Sequence, residues 1–213
     1  MLFSVHPVEI VRKGYNQAAE RYLAERRLDG GDLVMLDEFE TRVPKGGRVL
    51  DLGCGAGVPV AKRLAERYGV TGIDISENQI RLAREAVTGA EFRVADMIEA
   101  EIGEAVYDGV VSFYAMIHVP REHHQAILAK VRRALKPGGV ALLCLGAEDL
   151  EADIDEICGA EMFWSHFDAG TYLRMLPEVG LSVEIGRLVT DASCPDAKHL
   201  FVVARAVLKT QGC

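Results

Sequence analysis

The sequence predicts an α/β fold built on one doubly wound, mostly parallel sheet. After residue 47, short apolar segments alternate with segments of helical periodicity, and the first apolar segment runs directly into a glycine-rich turn. Strands and helices that alternate in this way indicate βαβ units with right-handed crossovers. With 213 residues, the chain has the length of one such domain, and we expect residues 1–213 to form it.

Two helices are predicted before the first strand. Residues 8–28 place apolar or aromatic side chains at helical spacing on one face, among them Tyr15 and Tyr22. Residues 32–41 form a second helical segment, which Pro44 and the glycines after it bring to an end. We expect residues 1–44 to cover the carboxyl edge of the sheet, where open α/β folds bind ligands.

The remaining elements follow in a regular order. The pattern predicts strands at 48–52, 70–75, 91–95, 107–114 and 140–146, and helices at 58–68, 76–87 and 121–135. Residues 147–166 are predicted to be irregular and acidic, an insert on the substrate side. A helix at 168–179 and two strands at 181–190 and 199–207 complete the chain. The short connection between these last two strands favours an antiparallel pair.

Composition limits the classes of partner and compartment. The chain has 32 acidic and 24 basic residues, which gives a net charge of −8 and disfavours a nucleic-acid substrate. There is no visible signal peptide and no apolar run long enough to span a membrane, so we expect a cytoplasmic protein without a membrane partner. The five cysteines are scattered without paired spacing, as expected for reduced thiols.

A glycine-rich turn follows the first predicted strand. The segment VLDLGCGAG, residues 49–57, leads from the strand through GxGxG into a helix. Glycines allow a ligand to approach the main chain closely, and the helix N-terminus offers free N–H groups. Nicotinamide and flavin enzymes use GxGxxG instead, but here the position that would hold its last glycine is Val58. The spacing therefore argues against the rival class, a nicotinamide-dependent oxidoreductase.

Two acidic residues end the next two predicted strands. Asp74 lies at the end of the second strand, where a carboxylate can accept hydrogen bonds from both hydroxyls of a ribose. Asp96 ends the third strand beside Met97, where its carboxylate could accept a hydrogen bond from the exocyclic amine of adenine. Each acid could instead be a solvated residue at a strand end. Together with the glycine turn, in this order, they indicate an adenosine-type ligand.

These motifs resemble those of the class I S-adenosylmethionine-dependent methyltransferases. The similar segments are VLDLGCGAG (49–57), GIDIS (72–76), FRVAD (92–96), YDGVVSFYAMIHV (107–119) and LKPGG (135–139). The resemblance implies a Rossmann-like sheet of seven strands in the order 3-2-1-4-5-7-6, with strand 7 antiparallel. It also implies S-adenosylmethionine as the cofactor and S-adenosylhomocysteine as the product.

The resemblance further implies roles for individual residues. In the family pattern, the methionine part of the cofactor lies against Gly53, Gly55 and Gly57, and Asp51 orients this glycine loop. The ribose is held by Asp74, adenine packs on Ile75, and the edge of adenine is bordered by Asp96 and Met97. The ammonium group of the cofactor is held by the carbonyl of Phe113. N-terminal helices in this family fold over the cofactor, so Tyr15 and Tyr22 are candidates to reach it. Amphipathic packing is the alternative for both tyrosines.

His118 and His166 are the candidate catalytic bases. His118 follows the fourth strand, and His166 lies in an aromatic segment of the insert. Each could instead be a packing residue, although we also expect His118 beside the cofactor. No metal is expected, because Asp108 is the only acid near the fourth strand.

The expected function is transfer of a methyl group to oxygen or nitrogen of a small molecule. A cofactor-binding module without catalysis is the alternative, and the chain is expected to be a monomer or a homodimer. The seven acids of the insert form either a solvated face or a pocket for cationic or hydroxylated substrates.

Overall fold

The computed structural model describes residues 6–25, 31–194 and 196–207. Six α-helices are present in this part of the chain: α1 (Pro7–Glu25), α2 (Val34–Glu40), α3 (Val60–Ala65), α4 (Glu77–Ala86), α5 (His124–Ala134) and α6 (Ala169–Glu178). Nine strands accompany them: β1 (Arg48–Leu52), β2 (Gly69–Asp74), β3 (Glu91–Val94), β4 (Tyr107–Ser112), β5 (Leu135–Gly146), β6 (Leu150–Ile157), β7 (Ala160–His166), β8 (Leu181–Thr190) and β9 (Lys198–Ala206). Short 3₁₀ turns lie at Gly31–Leu33, Met116–His118 and Arg121–His123.

The main sheet has seven strands in the order β3-β2-β1-β4-β5-β9-β8. Strands β1 to β5 pair in parallel, whereas β9 is antiparallel to both of its neighbours, β5 and β8. The sixth and seventh strands of the predicted sheet are β8 and β9, so the predicted order and the antiparallel strand are confirmed.

Helices cover both faces of this sheet. On one face, apolar residues such as Val49 and Leu142 pack under α2, α3 and α4. On the other, alternating with the first set, Leu50 and Leu143 pack under α5 and α6. Because both faces are buried, the central strands are apolar almost throughout, as is usual for parallel sheets. This packing fixes the strand ends that carry the site.

The prediction that residues 147–166 are irregular is wrong. Strands β6 and β7 form a separate antiparallel hairpin in this region. Its two-residue turn places Cys158 and Gly159 at φ of 51° and 80°, the left-handed conformation that type I′ hairpin turns require. The acidic side chains concealed the strand pattern, because most of β6 is exposed on both faces.

The hairpin packs against α1. Val11 of α1 is buried with Met162 and Phe163 of β7, and the two elements approach most closely at Gly14. A side chain at Gly14 would collide with the carbonyl oxygen of Glu161, so the absence of a Cβ there is what allows the contact. Helix α1 and the hairpin therefore form one layer, which lies beside the carboxyl edge of the main sheet.

Several element boundaries differ from the prediction. The helix predicted at 58–68 is the shorter α3, and the strand predicted at 140–146 begins earlier, because Leu135 already pairs with Tyr107. The helix predicted at 121–135 begins as a 3₁₀ turn before α5. Residues 26–28 of the first predicted helix lie outside the described residues. Among those described, no helix combines the length and apolar character needed to cross a membrane.

Candidate active site

The glycine turn leaves β1 and bends back over the end of β2. The N–H groups of Gly53 and Cys54 both donate to the carbonyl of Ile73, at 2.9 Å each. Gly53 has a φ of 78°, and a side chain there would collide with Ala115. At Gly55, by contrast, an added Cβ would have only Gln79 Oε1 near it, at 3.8 Å. The turn therefore leaves an open space over Gly55.

Gly57 faces the other way. A Cβ on this residue would lie 3.1 Å from Val87 and 3.3 Å from Ala83, so its absence allows the turn to pack against α4. Asp51 is also behind the turn, where its side chain is almost fully buried. Neither residue lines the cavity described below.

Asp74 joins the glycine turn to the end of β2. One carboxylate oxygen accepts from the N–H of Gly55 at 2.9 Å, and the other accepts from the N–H of Ser76 at 2.9 Å. Burial raises the pKa of Asp74 above its usual value, and the two backbone hydrogen bonds oppose this rise. A carboxylate has about four lone-pair sites, so two remain for a ligand.

Asp96 follows β3 at the same edge of the sheet. Its Oδ1 accepts from the N–H of Ile98 at 2.8 Å, which fixes the loop in a tight turn. Lys130 of α5 holds the same loop from below, because its ammonium donates to the carbonyls of Met97, Ile98 and Ala100 at 3.1, 2.6 and 3.0 Å. Asp96 also lines the narrow cavity described below.

The segment after β4 carries a residue in an unusual backbone conformation. Tyr114 has a φ of 51°, which is uncommon for a residue with a large side chain and is typical of functional sites. Its ring packs edge-on against His199 at 5.0 Å. Burial, with the negative charges around it, raises the pKa of Tyr114, so its hydroxyl is a neutral donor.

Helix α1 brings two tyrosines to this edge. The rings of Tyr15 and Tyr22 are 5.5 Å apart in an edge-to-face arrangement. The hydroxyl oxygen of Tyr15 lies 3.0 Å from Nε2 of His118. An element that precedes β1 thus contacts the 3₁₀ turn that follows β4.

The hydrogen bonds of His118 define which of its nitrogens carries the proton. Nδ1 lies 2.8 Å from the carbonyl oxygen of Phe163, which can only accept, so Nδ1 donates. Nε2 then accepts from the hydroxyl of Tyr15. Burial lowers the pKa of His118 from 6.5 to about 4, and the imidazole is neutral at pH 7.

One cavity collects most of the predicted cofactor residues. It is narrow, with about 70 Å³ open to water inside about 710 Å³ of space between the atoms. The predicted residues that line it are Tyr15, Tyr22, Gly53, Gly55, Asp74, Ile75, Asp96, Met97, Phe113 and His118. Sequence reasoning did not single out Val8, Val11, Ile73, Ala95, Ile98, Tyr114, Ala115 and Val119, which also line it. Most of these are sequence neighbours of predicted residues, and this adjacency is the signal by which they could have been predicted to line the cavity.

A second, wider cavity adjoins the first. About 800 Å³ of it is open to water, and Tyr15, Tyr22, Tyr114 and His118 line both cavities. His166 lines only this second cavity. Its Nδ1 donates to the carbonyl of Glu148 at 2.7 Å, which leaves Nε2 as the nitrogen that can accept a proton. Burial lowers the pKa of His166.

No group of three or more His, Cys, Asp or Glu side chains in the described part of the chain is arranged to hold a metal ion. The chemistry of this edge of the sheet therefore rests on the glycine turn, the two aspartates and the aromatic cover.

Comparison with known proteins shows which proteins the central part of the chain is similar to. A family model described as a methyltransferase domain matches residues 49–139, which include the glycine turn, Asp74 and Asp96. The 27-O-demethylrifamycin SV methyltransferase of Amycolatopsis mediterranei is 33% identical over 124 residues, 53% of this chain and 45% of that protein. Residues 49–139 therefore match a methyltransferase domain, which supports the class I S-adenosylmethionine-dependent type that the sequence motifs resemble.

Two further similarities extend beyond the matched core. Phosphoethanolamine N-methyltransferase 1 of Arabidopsis thaliana is 29% identical over 183 residues, 81% of this chain and 36% of that protein. The chain therefore spans less than half the length of these curated relatives. The fold is shared with Burkholderia thailandensis 1,6-didemethyltoxoflavin-N1-methyltransferase, solved with bound 1,6-didemethyltoxoflavin and S-adenosylhomocysteine (TM-score 0.72, 18% identity, 98% of this chain and 93% of that one).

S-adenosylmethionine is the cofactor of class I methyltransferases, and the hydrogen-bond acceptors of the narrow cavity fit it. Carboxylates at the ends of β2 and β3 suit a ribose and an adenine amine, and the open space over Gly55 lies against the main chain. Apolar side chains between the two acids, such as Ile75 and Met97, suit the flat base.

Proposed function

We propose that this chain transfers the methyl group of S-adenosylmethionine to an oxygen or nitrogen atom of a small molecule. The observation that carries the proposal is the junction of the two cavities. Tyr15, Tyr22, Tyr114 and His118 line both, so the space beside the two aspartates adjoins a separate and larger space. A methyl donor and a methyl acceptor can therefore bind next to each other.

Asp74 and Asp96 are the proposed nucleoside ligands. Backbone N–H groups occupy two lone-pair sites of Asp74, which lines the narrow cavity, and we assign its remaining sites to the ribose hydroxyls. Asp96 has one oxygen fixed by Ile98, and we assign the other to the exocyclic amine of adenine. Ile75 and Met97 are proposed to sandwich the base.

The amino-acid part of the cofactor is assigned to the turn. Gly53 and Gly55 lie on the cavity wall, where a main chain without side chains leaves room for it. The carbonyl of Phe113 is the proposed acceptor for the cofactor ammonium. Asp51 and Gly57, which lie behind the turn, support its conformation from the core side.

Alignment and exclusion of water are the main tasks of the protein in this reaction. S-adenosylmethionine, when bound, supplies a methyl group that its sulfonium already activates for in-line displacement. Helix α1 and the hairpin pack on each other across the mouth of the site through Val11 and Phe163. Holding the reactants in line and excluding water between them can account for a large share of the rate. We assign residues 1–44 and 147–166 to this cover of one domain.

The histidines have distinct proposed roles. His118 is buried and its Nε2 already holds the hydroxyl of Tyr15, so we assign it to fixing Tyr15 at the junction. A tyrosine that donates to His118 presents its oxygen lone pairs to the cavities. His166 has Nε2 left over and lies in the wider cavity, which makes it the proposed base when the acceptor arrives protonated.

The names of similar proteins support either oxygen or nitrogen as the atom that receives the methyl group. The names of the three proteins compared above place the methyl group on oxygen in one case and on nitrogen in two. All three names refer to small molecules, in keeping with the net charge of −8, which disfavours nucleic acid. We also propose that the protein works in the cytoplasm, as a monomer or a homodimer.

Titration of the purified, ligand-free chain with S-adenosylhomocysteine tests the cofactor assignment. Calorimetry should show one site with micromolar affinity, whereas NAD should give no heat and no thermal shift. An absence of S-adenosylhomocysteine binding would refute the assignment, and tight NAD binding would favour an oxidoreductase. A protein that binds S-adenosylhomocysteine but methylates none of a broad acceptor panel would instead be a binding module.

A further inference from the structure

The wider cavity, defined by its 800 Å³ of water-accessible space, has an unusual balance of charge. Eight carboxylate side chains line it among the described residues, and Lys198 is the one Lys or Arg that does so. Four of the acids, Glu148, Asp149, Asp155 and Glu156, come from β6 and the two residues that precede it. The others come from α1, the 3₁₀ turn before α2 and the segment before β9, so the charge arrives from several sides.

Four of these eight carboxylates form no ion pair among the described residues. Arg121 pairs with Asp149 at 3.0 Å, and Arg21 pairs with Glu25 at 2.7 Å. In the described part of the chain, Glu148, Asp155 and Glu156 form no ion pair with Lys or Arg, and neither does Asp196. The lowered pKa values of His118 and His166 keep these two imidazoles from adding positive charge at pH 7.

His199 provides an independent indication of a hydrogen-bond donor in this cavity. The residue is 8% exposed, lines the cavity, and has an Nδ1 that lacks a hydrogen-bond partner among the described residues. Its Nε2 lies 3.5 Å from the carboxylate of Asp191, which favours the proton on Nε2. Nδ1 is then a buried acceptor without a donor, an arrangement that is unfavourable unless a ligand supplies an N–H or O–H.

Aromatic rings complete the wall. Tyr22, Tyr114 and Trp164 line the cavity beside the acids, and aromatic faces attract organic cations. Because no described cluster is arranged to hold a metal ion, the chemistry favours an organic cation over a divalent metal. An organic cation that has N–H groups suits the carboxylates and the aromatic faces, and an N–H group is the kind of donor that Nδ1 of His199 lacks.

We infer that the wider cavity recognises the methyl acceptor through a positively charged amine group. This inference rests on the proposed function, because it identifies the cavity as the acceptor site. It concerns recognition, and the atom that receives the methyl group can be the amine itself or another atom of the same molecule.

Three probes of matched size test the role of charge. Tyramine, tyrosol and 4-hydroxyphenylacetate share a phenol and a two-carbon chain but end in an ammonium, a hydroxyl and a carboxylate. Each is titrated into the protein saturated with S-adenosylhomocysteine, at low ionic strength. Tyramine should bind at least about tenfold more tightly than 4-hydroxyphenylacetate, with tyrosol between them, because unit charges interact strongly at low salt.

Two double variants of β6 locate the effect. Asp155→Asn with Glu156→Gln removes two lining charges and should reduce the preference for tyramine at least about threefold. Glu151→Gln with Asp153→Asn removes two acids of the same strand that do not line the cavity, and should reduce the preference less than the first double variant does. The fold of each variant is checked by its affinity for S-adenosylhomocysteine.

The outcomes separate the inference from the proposed function. If S-adenosylhomocysteine binds but tyramine binds no more tightly than the other two probes, the inference is overturned and the proposed function stands. A preference that both double variants leave intact overturns it as well, since the charge would then act from elsewhere. If S-adenosylhomocysteine does not bind, the proposed function fails, and the same titrations on the free protein still decide whether the cavity selects cations.

Discussion

The hydroxyl of Tyr15 donates to Nε2 of His118 across 3.0 Å, although the two residues are 103 positions apart in the chain. Tyr15 belongs to α1 and His118 to the 3₁₀ turn after β4, so this hydrogen bond ties the cover to the carboxyl edge of the sheet. His118 is held in turn by the carbonyl of Phe163 in β7. A single imidazole therefore joins the helix, the sheet edge and the hairpin.

Tyr15→Phe removes the hydroxyl from this connection and retains the ring. We expect turnover to fall about 10- to 100-fold, because the oxygen at the junction of the cavities no longer helps to align the reactants. Steady-state kinetics with a methylated-product readout checks this. Tyr68→Phe is the control, because the hydroxyl of Tyr68 donates to the carbonyl of Glu40 and the residue lines neither cavity. Equal turnover of the Tyr15→Phe variant and the unmodified protein would reduce Tyr15 to a packing residue.

Asp74→Asn keeps the size of the side chain but removes its charge. We expect S-adenosylhomocysteine to bind more weakly by about 1–3 kcal/mol, the usual loss for hydrogen bonds to a charged acceptor. Calorimetry measures the change. Asp108→Asn is the control, since Asp108 pairs with Lys136 outside the cavity lining and its loss should spare the affinity. An Asp74→Asn variant with unchanged affinity would contradict the ribose assignment.

Lys130→Met should loosen the loop that carries Asp96 and Met97. Three carbonyls lose their shared donor, and we expect the free energy of unfolding to drop by about 1–3 kcal/mol. Affinity for S-adenosylhomocysteine should fall at the same time, because the loop borders the narrow cavity. Urea unfolding and calorimetry provide the two readouts. Lys136→Met, which breaks only the ion pair with Asp108, should lower the free energy of unfolding without weakening the binding of S-adenosylhomocysteine.

Gly14→Ala tests the contact between α1 and the hairpin. The added methyl group would overlap the carbonyl of Glu161, so the two elements must separate, at an expected cost of about 1–3 kcal/mol. Thermal unfolding should shift down, and the affinity for S-adenosylhomocysteine should weaken because Tyr15 moves with the helix. Gly31→Ala serves as the control, since an added Cβ there meets nothing within 4 Å. Identical behaviour of both variants would argue against a close-packed cover.

Stability should decrease as the pH falls from about 6.5 toward 4. Burial lowers the pKa of His118 and of His124 from 6.5 to about 4, so the unfolded chain binds protons in this window that the folded chain does not. The contribution of each imidazole to the free energy of unfolding is complete above pH 6.5. On acidification it is lost at up to about 1.4 kcal/mol per pH unit. Urea unfolding across this range measures the slope.

His118→Gln should make this slope shallower. The variant removes one of the two imidazoles that titrate differently in the folded and unfolded chains. His123→Gln, in the neighbouring 3₁₀ turn and only partly buried, is the control and should keep the original slope. If the His118→Gln variant retained the full slope, the burial of this imidazole would not be the source of the acid sensitivity.

The central strands, and the aspartates at the ends of two of them, could be predicted because their sequence signals are local. VLDLGCGAG gives a strand and its turn within nine residues, and the rule that parallel strands share a carboxyl edge brings Asp74 and Asp96 together. Gly57 shows the limit of this reasoning. A glycine in the motif need not face the ligand, and only the position of α4 shows that Gly57 packs against Val87.

The cover could not be predicted in the same way. The hairpin exposes most of β6, so its sequence lacks the apolar alternation of a strand, and the Cys158-Gly159 turn was the one local sign. The Tyr15–His118 hydrogen bond depends on how α1 crosses the sheet edge. His166 could be recognised as a candidate, but its place in the wider cavity depends on the hairpin register.

The two cavities draw their walls from different stretches of the chain. Residues 53–119 supply the floor of the narrow one, whereas the hairpin and the segment before β9 contribute only to the wider one. Mutations in those two surface segments leave the register of the parallel strands untouched. Evolution can therefore retune which molecule such a protein modifies without rebuilding the machinery that holds its nucleoside, and an engineer can follow the same route.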